Sequence, residues 1–327
     1  MKIGVLGLGN WGLALAQHLS TSGFEVTGWD RSEETVASLA LTKKHPKFHP
    51  DISLSSKIAF SDNLEKTIKA SEMLVLAIPS HALSTVLTES SHLKDKILVS
   101  GIKGFVDDSL KTPLQHLSSI CPSSKLCALS GPSFAYDLIR ENPILVAAAS
   151  YDPQTAFLVA RIFSQGGMRV YPSEDPIGVE YGGALKNVIA VATGISDGLG
   201  FGDSTRAALV TRGLAEMTRL AISSGAKQET LSGLSGLGDL LMTATSTLSR
   251  NRMLGFYIGS GDTVEIALEK IGSIAEGYYT APKALLLAKK NGVDLPITEQ
   301  IVSLFKGDIS VNEVARELLK RPLKAEN

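Results

Sequence analysis

An α/β fold, in which a doubly wound, mostly parallel sheet is followed by a second, all-helical domain, is predicted by three features of the sequence. Short apolar runs alternate with helical periodicity through the first half, a glycine-rich turn follows the first of those runs, and strand-like runs stop after Pro172. Short buried strands separated by helices imply right-handed crossovers between parallel neighbours.

Taken in order, strands are predicted at 3–6, 26–29, 58–60, 73–78, 97–102, 126–129, 144–148 and 169–171. Helical periodicity lies between most of them, in stretches such as 11–19, 33–39, 64–69 and 110–117,. The direction of the later strands is open at this level. Beyond Pro172 long amphipathic segments are predicted at 176–197, 203–224, 228–245, 248–258, 262–271, 279–291, 295–306 and 310–320. Gly225, Gly259, Gly261, Gly292 and Gly307 supply the stops,. The final residues 320–327 read as a frayed tail.

A chain of 327 residues is long for one core, and two domains are the natural division,. Hydrophobic residues at 44% and charged residues at 20% describe a compact folded protein rather than a disordered one,. Lys plus Arg (32) nearly balance Asp plus Glu (33), so no global field recruits nucleic acid or an acidic membrane, and an anionic ligand must be held by a local cluster,. Cys121 and Cys127 are too few for a disulfide framework and lack the neighbours of a zinc site, so no metal is expected and a reducing cytoplasm fits,. The amino terminus runs straight into a strand and does not read as a signal peptide. The most apolar region, about 177–195, contains Glu180, Lys186 and Asn187 and reads as a buried helix rather than a membrane span,.

Gly7, Gly9 and Gly12 follow the first strand and open the first helix, the context in which a Gly-x-Gly-x-x-Gly turn signifies a dinucleotide,. Gly7 permits the tight turn, Gly9 lets backbone approach a pyrophosphate, and Gly12 lets helix and strand pack closely. The reading is therefore a Rossmann-type dinucleotide-binding domain over 1–178 and a helical substrate-binding domain over 179–327. At the end of the second strand Asp30 suits the ribose hydroxyls of NAD and Arg31 the extra phosphate of NADP, so NAD or NADP is expected and the choice stays open,.

Lys186 lies among small and apolar residues, where a lysine loses hydration and is retained to move a proton or hold an anion,. Lys103 follows a strand and emerges at the carboxyl edge of the sheet, where open sheets bind ligands, and Gly131-Pro132-Ser133 follows the next strand in the same way,. Asp239, between Gly238 and apolar Leu240, reads as a partly buried carboxylate in need of a partner, or as a helix cap,. Ser249-Arg250-Asn251-Arg252 gathers a hydroxyl, an amide and two guanidinium groups suited to a phosphate,.

Lys103 within Gly101–Gly104, Gly131–Ala135, Gly183–Asn187, Gly236–Leu240, Leu248–Arg252 and Ala275–Gly277 occur in the order and approximate spacing of bacterial-type NAD(P)-dependent glycerol-3-phosphate dehydrogenase, which the chain resembles from Gly7 to about Leu304. The resemblance implies reversible hydride transfer between NAD(P)H and dihydroxyacetone phosphate, giving sn-glycerol 3-phosphate for glycerophospholipid synthesis. It implies Lys186 as general acid and base, with Lys103 and Asp239 beside it at the reacting carbon and Thr243 helping to position them. It further implies substrate contacts at Lys103, Gly131, Ser133, Lys186, Asp239, Thr243, Ser249, Arg250 and Asn251. Cofactor contacts follow at Gly7, Gly9, Asn10, Trp11, Gly12, Arg31, Lys103, Ala135, Arg250, Ile274 and Glu276. The chain departs from the family pattern at Tyr136-Asp137, at Ala244 in place of the usual cysteine, and in a basic linker over 42–56. A cytoplasmic homodimer without an integral membrane segment or nucleic-acid partner completes the expectation.

Two other readings are weighed against it. A reductase of carboxylated hydroxy acids could hold its substrate with the same Ser-Arg-Asn-Arg cluster. A non-catalytic NAD(H) sensor would keep the glycine turn but has no need of Lys186, Asp239 and Arg250 together.

Overall fold

A computed structural model describes residues 1–88 and 91–314. The chain forms two compact units, Met1–Glu180 and a second from Tyr181 onward.

The first unit holds eight strands: β1 Lys2–Leu6, β2 Glu25–Trp29, β3 Ala59–Ser61, β4 Met73–Leu76, β5 Ile97–Ser100, β6 Lys125–Ser130, β7 Ile144–Ala149 and β8 Met168–Ser173. They make one sheet in the order β3-β2-β1-β4-β5-β6-β7-β8. Its helices are α1 Asn10–Thr21, α2 Glu33–Thr42, α3 Leu64–Ala70, α4 Leu83–Val86, α5 Pro113–Ile120, α6 Ala135–Ile139 and α7 Pro153–Phe163. The strands from β3 across to β6 run parallel, β7 is antiparallel to β6, and β8 is parallel to β7. The question left open by the sequence is thus answered by a single reversal at β7.

Alternate strand residues point to opposite faces. Ile3, Val5, Met73, Val75 and Val99 pack with α1 and α7 residues such as Leu15 and Phe163. Leu6, Leu74, Leu76 and Leu98 pack on the other side with Leu83 and Leu117. Both faces are buried, which is why these strands read as continuous apolar runs and not as an apolar-polar alternation. The sheet's two margins differ from its centre: β3 has only three residues, and β8 carries Pro172.

The second unit is helical. The chain passes into it within α8 Pro176–Gly198, followed by α9 Asp203–Ser223, α10 Gln228–Leu231, α11 Asp239–Thr245, α12 Arg250–Gly259, α13 Val264–Ile271, α14 Glu276–Asn291 and α15 Pro296–Phe305. The predicted element at 310–320 lies partly outside the described residues, and the tail 320–327 wholly so.

Two helical expectations are corrected. The helix placed at 110–117 begins at Pro113, because Leu110 sits at φ 57° in a turn and Thr112 caps the helix reciprocally with Gln115,. The single helix placed at 228–245 is three pieces, since a π-helical turn Leu234–Gly238 separates α10 from α11. Glycine at 233, 236 and 238 weakens helical continuity there,.

Two buried glutamates hold helix starts. Glu180 accepts from the Leu114 amide at 2.9 Å at the start of α5, and Glu216 on α9 accepts from Ile297 at 2.6 Å at the start of α15. Burial raises each carboxyl from an ordinary 4.5 to about 7, against the opposing pull of these hydrogen bonds,. The stability gained from holding Glu180 neutral is complete below pH 4.5 and lost as the pH rises through about 7,. Glu180→Gln keeps an acceptor for Leu114 and cannot ionise. Relative to that variant, the parent is expected to lose up to roughly 3 kcal/mol between pH 4.5 and 7 and nothing further above it, measured by urea unfolding across that range,.

Candidate active site

In the first unit the residues expected at the cofactor gather at the β1–α1 turn. Gly7 sits at φ 92°, and a Cβ on it would lie 2.8 Å from Ile78 Cγ2,. A Cβ on Gly12 would collide with the Gly7 carbonyl, so glycine there lets α1 begin directly against β1. Around Gly9 a Cβ would meet nothing within 4 Å. The turn therefore leaves backbone open to a diphosphate at the start of α1, where helix N–H groups favour an anion, and these residues fit a dinucleotide cofactor.

Asp30 is not simply solvated. Its Oδ2 accepts from the Leu8 amide at 3.0 Å and its Oδ1 from the Ser32 amide at 3.0 Å, which ties the end of β2 to the glycine turn. Arg31 beside it is exposed. Asn10 opens α1, and the Trp11 indole nitrogen is buried next to Gly101.

At the carboxyl ends of β5 and β6 three expected residues meet on one carbonyl. Lys103 Nζ donates to the Gly131 oxygen at 3.2 Å and Ser133 Oγ donates to the same oxygen at 2.9 Å. Gly131 is at φ 150°, and a Cβ there would press on Val146 Cα at 2.8 Å. Ala135 is buried at the first position of α6.

In the helical unit Lys186 lies near the middle of α8 with 4% of its surface exposed. Its Nζ donates to Asp239 Oδ1, and to Thr243 Oγ1 at 2.7 Å. Asp239 is fully buried and Thr243 is 3% exposed, one turn apart on α11,. Of the two readings of Asp239, the buried partner is therefore the one realised.

The Ser249–Arg252 cluster forms the start of α12, and its members part company. Ser249 is the N-cap, accepting from the Arg252 amide at 3.2 Å,. Arg250 is exposed; surrounding protein lowers its guanidinium from its ordinary value, and the Glu276 carboxylate opposes that shift. Asn251 is buried. Its Nδ2 donates to Asn187 Oδ1 at 2.9 Å and its Oδ1 accepts from the Gly277 amide at 2.8 Å. Glu276 opens α14, and Ile274 is half-buried just before it.

Asn187 is the residue the sequence reading noted but assigned no role. It joins the Gly183 carbonyl of its own helix to Asn251 and so ties α8 to the starts of α12 and α14. Its adjacency to Lys186 was the available signal. Among the described residues no group of three or more His, Cys, Asp or Glu is arranged to hold a metal ion, and no helix is long and apolar enough to cross a membrane.

Comparison with known proteins finds one family along nearly the whole chain. The family described as NAD-dependent glycerol-3-phosphate dehydrogenase matches through its N-terminal part at residues 2–156 and its C-terminal part at 175–316. Glycerol-3-phosphate dehydrogenase (NAD(P)+) of Geobacter sulfurreducens is 44% identical over 99% of this chain and 98% of its own length. That of Leptospira biflexa is 43% identical over 100% and 99%. A crystal structure of glycerol-3-phosphate dehydrogenase from Coxiella burnetii superposes with a TM-score of 0.94 at 34% identity, covering 98% of this chain and 99% of that one.

Gly12→Ala places a methyl group on the Gly7 carbonyl and must push α1 away from β1. Overpacking of this kind costs about 1–3 kcal/mol, so NADH binding followed by fluorescence titration is expected to weaken roughly ten- to hundredfold.

Proposed function

The chain belongs to the NAD-dependent glycerol-3-phosphate dehydrogenase family, and from that premise we propose that it reduces dihydroxyacetone phosphate reversibly to sn-glycerol 3-phosphate with Lys186 as the general acid and base. The observation that carries this reading is the buried Nζ of Lys186, fixed in direction by Asp239 and Thr243.

NAD(P)H, when bound, supplies a hydride to the carbonyl carbon. As that carbon gains electrons its oxygen gains negative charge, and a positioned proton stabilises it; such help is typically worth about 10²–10⁴-fold. Lys186 Nζ gives the proton to the oxygen in reduction and takes it back from the alcohol in oxidation. Asp239 and Thr243 accept from the same nitrogen and hold it in one direction, so the transfer needs no search by a flexible side chain,. Lys103, Gly131 and Ser133 are assigned to the substrate at the strand ends, with Lys103 also beside the reacting carbon and the cofactor.

Arg250 and Asn251, with Ser249 capping their helix, are assigned to the substrate phosphate, a remote group whose binding orients the carbonyl. Arg250 also serves the cofactor. Gly7, Gly9, Asn10, Trp11, Gly12, Arg31, Ala135, Ile274 and Glu276 are assigned to the dinucleotide. The product is the backbone precursor of glycerophospholipids, and a homodimer working in the cytoplasm completes the proposal.

Three measurements test it. Lys186→Ala is expected to lower kcat by about 10²–10⁴-fold while the NADH dissociation constant moves little; near-normal turnover would overturn the role of Lys186. Arg250→Ala should raise KM for dihydroxyacetone phosphate by roughly ten- to hundredfold, the worth of a charge-assisted hydrogen bond. Initial rates with NADH and with NADPH on the same substrate decide between the two cofactors, and no rate with either defeats the assignment.

A further inference from the structure

Arg252 carries the second guanidinium of the Ser-Arg-Asn-Arg cluster, and its fork is already engaged. Its Nε donates to Asp197 Oδ2 at 2.9 Å, and its Nη2 lies 2.7 Å from the same oxygen. Asp197 sits near the end of α8, and its side chain is only 6% exposed. The other carboxylate oxygen, Oδ1, accepts from Nε and Nη2 of Arg206 on α9 at 2.9 and 2.8 Å. Arg206 Nη1 in turn donates to Asp203 at 2.8 Å. One carboxylate thus receives two arginine forks and joins α8, α9 and α12.

The same helices touch backbone to backbone at this level. A Cβ on Gly194 of α8 would strike the Arg252 carbonyl, and a Cβ on Gly255 of α12 would strike the Val191 carbonyl. Close approach sets the distance between α8 and α12 and admits only the Gly255 face of α12 to the contact, while the first turn of α12, where Arg250 and Asn251 stand, needs its own tether. The ion cluster supplies it. Residues two apart on a helix are separated by about 200°, so holding Arg252 inward against Asp197 turns Arg250 outward. Asn251, between them, is brought to Asn187, next to Lys186. Arg252 and Asp197 are 55 residues apart in sequence, and Asp197 lies about three helical turns from Lys186 along α8,.

We propose that Asp197 and Arg252 are positioning residues that aim Arg250 and Asn251 at the substrate phosphate, with Arg206 completing the clamp; the proposal rests on the reading of Arg250 and Asn251 as the phosphate grip. Neither Asp197 nor Arg252 touches substrate. A misaimed grip weakens the phosphorylated substrate and leaves the dinucleotide turn of the other unit untouched.

The test uses the full-length enzyme with two variants. Asp197→Asn keeps the size but removes the negative charge and one of the two acceptor oxygens; Arg252→Lys keeps the charge and loses the fork. Either is expected to raise KM for dihydroxyacetone phosphate by about tenfold or more, since small misplacements of a positioning group are worth up to roughly 10²-fold, with the NADH dissociation constant changed less than about threefold. Asp197→Glu, which restores the carboxylate, should recover most of the loss. Should Asp197→Asn fail to fold, Arg252→Lys gives the same reading. No turnover by the parent overturns this proposal together with the functional one. With an active parent, an unchanged KM, or an equal weakening of NADH accompanied by a fall in Tm, or no recovery in Asp197→Glu, overturns this proposal alone.

Discussion

The helical unit is organised around the ion pair of Lys186 with Asp239, the more deeply buried of its two inner pairs among the described residues. Removing two charges from water costs several kcal/mol per ion, and their attraction repays this only with good geometry and further hydrogen bonds. Thr243 supplies one such bond, and the two acceptors stand one turn apart on α11, so both face α8 together. A pair of this kind adds little to stability over an apolar core, while loss of either partner strands the other charge. Its retention amid Leu185, Val188 and Leu240 therefore points to use rather than to support.

The two units solve the same steric problem with different means. In the first, glycine at the β1–α1 turn admits a helix start close to a strand, and Asp30 fastens the turn by accepting from Leu8. In the second, glycine lets α8 and α12 touch, and Asn187, Asn251 and Asp197 fasten the crossing with polar side chains. In both, the missing side chain allows proximity and a hydrogen-bonded group sets orientation.

Much of this was legible in the sequence because it is local or periodic. Strands buried on both faces announce themselves as apolar runs, the glycine turn follows the first of them, and the polar clusters keep a family's order. The single reversal at β7 was not legible, since an apolar run of Ile144–Ala149 has the same pattern in either direction. The start of α5 was misread because Leu110 and Leu114 share helical spacing, whereas the Thr112–Gln115 capping box and Pro113 decide where the helix begins. Within the site, Lys186 was found by being out of place among apolar neighbours. Arg252 could not be separated from Arg250 by composition; only the fold brings Asp197 to it across 55 positions.

The sheet's margins carry a consequence for the protein in concentrated solution. An outermost strand exposes unpaired amides and carbonyls that can template another chain. Here β3 offers three residues, too few for a lasting foreign strand, and β8 interrupts its row of donors with Pro172, which has no N–H to give,. Eight strands of largely apolar sequence thus end at margins poorly suited to pairing with a ninth strand from a neighbouring molecule,.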